Sequence, residues 1–209
     1  MSVELDYYEI SSLTKSAESL FRETRDSVRR NWLCPGCMGV KPKIQAVDLR
    51  LQTKPTNVAM TFAWGTGFGI IHRDLLEILG EPAKTDLMLG GIYGADGERY
   101  PEFSSFRGRV RIVIRGDATS TYWRCQVCGR YRYSPFGKRY VLTGALTGAS
   151  IFESQHHSLI VGGETIRRVK QRKWKELGIA KVLVLDSPED KKPIFYSEED
   201  GCFDGSDDE

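Results

Sequence analysis

Cys34-Pro35-Gly36-Cys37 and Cys125-Gln126-Val127-Cys128-Gly129 decide how this chain is read. Each is a two-cysteine knuckle on a tight turn. Each is also half of a metal site, because tetrahedral zinc takes four ligands. Pro35-Gly36 supplies the first turn, and Gly39 permits the bend that follows. Between the knuckles lie 87 residues. Zinc ribbons usually separate theirs by about 15–20, so the intervening lobe reads as an insertion between two half-sites. The expectation is one structural zinc ion (Zn2+) held by Cys34, Cys37, Cys125 and Cys128. Such a closed set stabilises a fold and leaves no open position for catalysis. An iron–sulfur cluster, a redox C-x-x-C pair and a lost site are the alternatives. A redox pair sits at a helix N-terminus after a strand, and neither knuckle reads that way.

Composition agrees with a reduced metal site. The chain has 209 residues, 40% of them hydrophobic and 28% charged, as in a globular domain. No run reaches membrane-span length, and the acidic start Met1-Ser2-Val3-Glu4-Leu5-Asp6 lacks the order of a signal peptide. The expected location is the cytoplasm, where thiols stay reduced. Cys202, the fifth cysteine, reads as a spare thiol. Net charge is +2, but Glu198–Glu209 carries seven acidic residues and no basic one, leaving +9 on residues 1–197. The acidic end reads as a solvated disordered tail.

Outward from the knuckles, residues 3–10, 44–51 and 107–115 alternate as strands. Ser16–Arg30 reads as a short basic helix or a polar loop. Phe62–Gly69 carries glycines at 65, 67 and 69, but no Lys-Ser/Thr follows, so it reads as a loop packing its aromatics inward rather than a phosphate loop. Ile71–Leu79 reads as a helix stopped by Gly80, and Leu87–Pro101 as loop or hairpin turning at Asp96-Gly97. The last third reads strand–helix–strand: His157–Val161, Glu164–Leu177 and Lys181–Asp186. Phe68–Gly80 and the stretch from Ser158 both take an apolar step into a helix downstream of a knuckle, a faint internal echo.

The three histidines, His72, His156 and His157, accompany no nucleophile motif, and neighbours in a strand point to opposite faces. Nothing in the sequence points to an enzyme. Arg107–Arg115, Arg130–Arg139 and Arg167–Lys175 are basic, with Tyr131, Tyr133 and Tyr140 interleaved, and suit nucleic acid or an acidic protein.

The arrangement resembles the double-CXXCG motif proteins of myxobacteria. The likeness lies in the C-P-x-C knuckle, Val47-Asp48-Leu49, the C-x-x-C-G-R knuckle at Cys125–Arg130, and the L-I-V-G-x-E element at Leu159–Glu164 running through a helix to Leu177-Gly178. It spans roughly residues 30–186. Met38 stands where that family has glycine, and Gly90–Ser120 shows no match. The resemblance implies an immunity-type protein, a cytoplasmic antidote that binds a cognate toxin encoded nearby. The acidic tail would then mimic nucleic acid in a nuclease cleft.

The expected fold is α+β: a mixed sheet with few helices, in two lobes joined by the four-cysteine knuckle pair. Residues 1–197 form one zinc-stabilised domain with sub-lobes about 1–120 and 121–197, followed by the disordered tail 198–209. The expected function is toxin neutralisation by direct protein contact, without catalysis and away from membranes. The alternative is a zinc-ribbon-like nucleic-acid-binding protein. The sequence leaves the oligomeric state open.

Overall fold

Short runs of β-branched and aromatic residues bounded by glycine turns favour strands over helices. The computed structural model describes residues 6–13, 20–39, 41, 46–56, 58–63, 66–116, 121–129, 131–134 and 137–186, with backbone alone at 121–124 and 131–134. The stretch 198–209, Cys202 and Arg130 lie outside the described residues. In order, the elements are β1 (Tyr7–Ser12), α1 (Arg22–Trp32), β2 (Leu49–Arg50), β3 (Met60–Ala63), β4 (Phe68–His72), α2 (Arg73–Leu79), α3 (Glu81–Asp86), β5 (Leu87–Tyr93) and β6 (Arg99–Gly108). They continue with β7 (Arg111–Ile112), β8 (Thr121–Arg124), β9 (Tyr131–Ser134), β10 (Tyr140–Leu142), β11 (Ile151–Ser154), β12 (Leu159–Gly162), α4 (Gly163–Gln171) and β13 (Leu177–Leu185). The fold is α+β, with two main sheets and the cysteine knuckles joining two regions.

The two sheets are built to one plan. One runs β2-β5-β6-β4-β3, and the other β10-β13-β1-β12-β11 with β7 added at its edge. In the first, Phe106 of β6 lies opposite both Gly69 and Leu89. In the second, Ile10 of β1 lies opposite both Leu159 and Ile179. Each sheet carries a short parallel strand on the same side: Arg50 pairs with Tyr93, and Tyr140 with Leu183. An isolated antiparallel bridge follows outside each, Leu20 to Leu51 and Arg115 to Tyr140. The chain therefore folds as two structural repeats. The echo between Phe68–Gly80 and the stretch from Ser158 is the β4–α2 and β12–α4 part of that duplication.

The repeats exchange their first strands. In sequence, each repeat runs central strand, knuckle, parallel edge strand, hairpin, helix, strand. In space, β1 enters the sheet made by the second repeat, and β6 enters the sheet made by the first. A core between the sheets takes matching residues from both: Ile10 with Phe106, Ile71 with Val161, Leu75 with Ile166, and Leu87 with Leu177. Two outer cores also correspond, Leu51, Ile70 and Ile92 on one side and Val141, Ile160 and Val182 on the other. Each fully buried aliphatic contributes about 1.5–3 kcal/mol.

Several elements differ from their sequence reading for identifiable reasons. Phe62–Gly69 is not an aromatic loop but includes the end of β3 and the start of β4, paired Ala63 to Phe68. The Arg107–Arg115 strand breaks after Gly108, whose N–H donates to Glu153 Oε2 at 2.8 Å instead of continuing a ladder. The last helix ends at Gln171 rather than Leu177, because Lys173 takes a left-handed φ of 50°.

Candidate metal centre

Two unlike supports bring the cysteines together. The first knuckle follows the C-terminus of α1, where Lys41 Nζ donates to the carbonyls of Arg30 and Asn31. Its own backbone closes tightly, with Cys34 N–H donating to Gly39 O at 2.9 Å and Met38 N–H to Cys34 O at 2.8 Å. The second knuckle is the tip of the β8–β9 hairpin, where Gly129 N–H donates to Cys125 O at 2.8 Å. The same turn is thus made twice. Met38 and Gly129 occupy its left-handed position, at φ 55° and 73°.

Each cysteine meets its counterpart in the other repeat. Cys34 Sγ lies 3.7 Å from Cys125 Sγ, and Cys37 Sγ lies 3.8 Å from Cys128 Sγ. All four sulfurs fall within 4.8 Å of one another. Four ligands on a tetrahedron with metal–sulfur bonds of about 2.3 Å are spaced about 3.8 Å apart. The separations match that edge and are far beyond a disulfide of about 2.05 Å. The cluster is sized for one ion rather than a multi-iron cage. Cys34 and Cys125 are buried, Cys37 half-buried and Cys128 the most open. An added Cβ at Gly36 would stand 2.5 Å from Val127 Cγ2 and 3.1 Å from Cys125 Sγ, so this close approach requires glycine.

The electrostatics of the thiols call for a cation. Burial pushes the Cys37 thiol up to about 12, against the Gly39 N–H that donates to its sulfur at 3.4 Å. The neighbouring thiols add to the rise. Burial also acts to raise Cys34, but the backbone N–H groups of Cys37 and Gly36 outweigh it and hold that thiol below its ordinary value. Four sulfurs this close cannot all ionise beside one another, whereas a divalent cation at their centre lets them.

The histidines lie elsewhere. Among the described residues, the four cysteines are the one group with metal-ligand geometry. His72 caps α2, its Nδ1 accepting from Asp74 N–H at 3.1 Å. His157, at φ 63°, belongs to a buried ionic cluster that sequence reasoning missed. There Arg107 Nη1 lies 3.0 Å from Glu153 Oε1, and His157 Nδ1 2.8 Å from the same oxygen. Burial acts to raise the Glu153 carboxyl, yet the Arg107 guanidinium, with His157 and Arg111, holds it below the usual range. Burial pushes the His157 imidazole down to about 4 despite Glu153. The cluster joins β6 to the β11–β12 hairpin. Its only advance signal was a charged residue, Glu153, directly after the apolar pair Ile151-Phe152.

The other motif elements sit in the framework. Val47 O accepts from Ser105 Oγ, Asp48 Oδ1 accepts from Gly91 N–H at 2.6 Å, and Leu49 is fully buried. Leu159, Ile160 and Val161 are buried in β12. Of the basic segments, Arg107 and Arg115 are buried, while the cations of Arg167–Lys175 are exposed. No protein-family model matches the chain, and no curated protein matches it. No helix among the described residues is long and apolar enough to cross a membrane.

Proposed function

We propose that this chain is a zinc-stabilised binding protein, an immunity protein that neutralises a cognate toxin by direct contact. The observation that carries the reading is the closed set of four sulfurs at tetrahedral spacing across two repeats. A zinc ion there is fully ligated by protein, so it holds the repeats together and does no chemistry. The metal centre ties β8–β9 to the end of α1, and recognition belongs to the surrounding surface. The order of the C-P-x-C, V-D-L, C-x-x-C-G-R and L-I-V-G-x-E elements supplies the immunity reading. The partner is the product of a neighbouring gene. Co-expression should protect a host from that toxin, and titration calorimetry should give one-to-one binding. A purified pair that neither binds nor protects would sink the proposal.

One observation favours a second reading, nucleic-acid binding. Arg167, Arg168, Lys170, Arg172, Lys173 and Lys175 are all exposed, and none forms an ion pair with a described carboxylate. Such a ridge suits a phosphate backbone. Binding to generic duplex DNA that weakens steeply with salt would select this reading; salt-insensitive binding to a single protein partner would reject it.

A further inference from the structure

A pocket of about 420 Å³ opens where the two repeats meet, away from the cysteines. Lys54, Pro55 and Val58 line one side, with Glu102 and Phe103 of β6 beside them. His72 and Asp74 come from the β4–α2 junction, and Trp174 and Glu176 from the loop between α4 and β13. Phe103, His72 and Trp174 make an aromatic wall, with ring centroids 5.0 Å apart for Phe103–His72 and 6.5 Å for His72–Trp174.

The charges are unevenly satisfied. Lys54 is committed to Glu102 and also lies over the Tyr100 ring. Asp74 faces only His72 Nδ1, at 3.6 Å, and Glu176 has no side-chain partner among the described residues. Among the described residues the lining therefore holds three carboxylates against one ammonium. Trp174 Nε1 is buried and has no hydrogen-bond acceptor among the described residues. A buried indole N–H without a partner is costly.

The duplication sharpens the point. His72 ends β4 and caps α2, whereas Gly162 ends β12 and caps α4. The imidazole at this step therefore stands in one repeat only.

We propose that this pocket receives an arginine or lysine side chain presented by a protein partner. Aromatic faces attract a guanidinium or ammonium, the more strongly when water is excluded. Asp74 and Glu176 supply the counter-charge. The assignment deepens the protein-binding reading above and rests on it for the identity of the partner, but the pocket's preference for a cation is tested without that partner.

The test follows the indole ¹H–¹⁵N resonances of the full-length, metal-loaded protein, with the Trp174 signal assigned from a Trp174→Phe variant. N-acetyl-arginine amide should shift that resonance saturably, while N-acetyl-aspartate amide should not. Asp74→Asn combined with Glu176→Gln should weaken the arginine probe by roughly tenfold or more, with the dispersed spectrum showing the variant folded. No saturable shift, an equal shift with the aspartate probe, or unchanged affinity in the folded double variant would each overturn the inference. If the arginine probe binds as expected and no toxin is found, the pocket stands and the immunity reading falls. If a toxin binds the wild type and the double variant equally, the pocket assignment fails and the immunity reading stands.

Discussion

Met38 and Gly129 hold the same left-handed place, one after each knuckle, at φ 55° and 73°. Glycine takes that conformation freely, whereas a side chain costs about 1–2 kcal/mol there. Met38 is 41% exposed, so little packing offsets the strain. Met38→Gly is expected to stabilise the metal-loaded protein by about 1 kcal/mol, read as a higher urea midpoint at unchanged slope. A lower midpoint would mean that the methionine contributes contacts outweighing its strain.

Metal content follows from the sulfur positions. Elemental analysis should find one zinc per chain, and Cys125→Ser should remove it. If Cys125 ligates the ion together with the other repeat's pair, its loss should loosen α1 and the β8–β9 hairpin together, at a cost of several kcal/mol. Chelation of the wild type should lower the melting temperature in the same way. A metal-free wild type, indifferent to chelator, would remove the centre from the account.

Acid should weaken the protein through the cluster around Glu153. Both His157, down at about 4 from 6.5, and Glu153, held below 4.5, titrate lower in the folded state than in the unfolded chain. The unfolded chain therefore binds more protons as pH falls, and stability drops with it. The His157 contribution is full above about pH 6.5 and is lost on the way down through pH 4; Glu153 extends the loss below pH 4.5. His157→Asn keeps a residue that tolerates positive φ and removes the titration. It should flatten the denaturation midpoint between pH 6.5 and 4; an unchanged slope would place the acid sensitivity elsewhere.

Glu153→Gln tests the same cluster at neutral pH. Arg107 is only 2% exposed and would lose its nearest counter-charge. Breaking one side of a buried ion pair costs about 3–5 kcal/mol. A loss under about 1 kcal/mol would mark the pair as incidental.

The exchange of first strands makes a sharper prediction. The chain can be cut in the turn between Gly94 and Glu98, which separates β5 from β6. Fragments 1–95 and 96–209 each then contain a strand that belongs to the other's sheet. Produced together they should co-purify as a one-to-one complex, and produced apart neither should give a cooperative transition. A fragment folding alone would show that its sheet closes without the borrowed strand.

The four-cysteine cluster was legible because two C-x-x-C turns carry their pairs of sulfurs in their spelling. The hairpin at Asp96-Gly97 and the strand–helix–strand close were legible through turn residues and periodicity. Other features depend on partners distant in sequence. Gly69 belongs in β4 because the Phe106 ring lies where its Cβ would be, at 2.2 Å. Nothing local announces that ring. Arg172-Lys173 contains neither glycine nor proline, so the end of α4 went unseen. The faint echo hinted at duplication, but the exchanged strands share almost no pattern: Ile10 and Phe106 correspond by pairing alone.

The exchange also sets a timetable for synthesis. A ribosome makes β1 well before its two neighbours in the sheet, β12 and β13. The sheet around β6 can close while the remainder is still being translated; the sheet around β1 cannot. Until residue 162 has left the exit tunnel, Tyr7–Ser12 has no partner on either edge, and until residue 185 has left it one edge stays open. Such nascent edges are open to misassembly with neighbouring chains. The pace at which this sheet matures is therefore governed by its last two strands, and a truncation that removes β12 and β13 leaves β1 without partners.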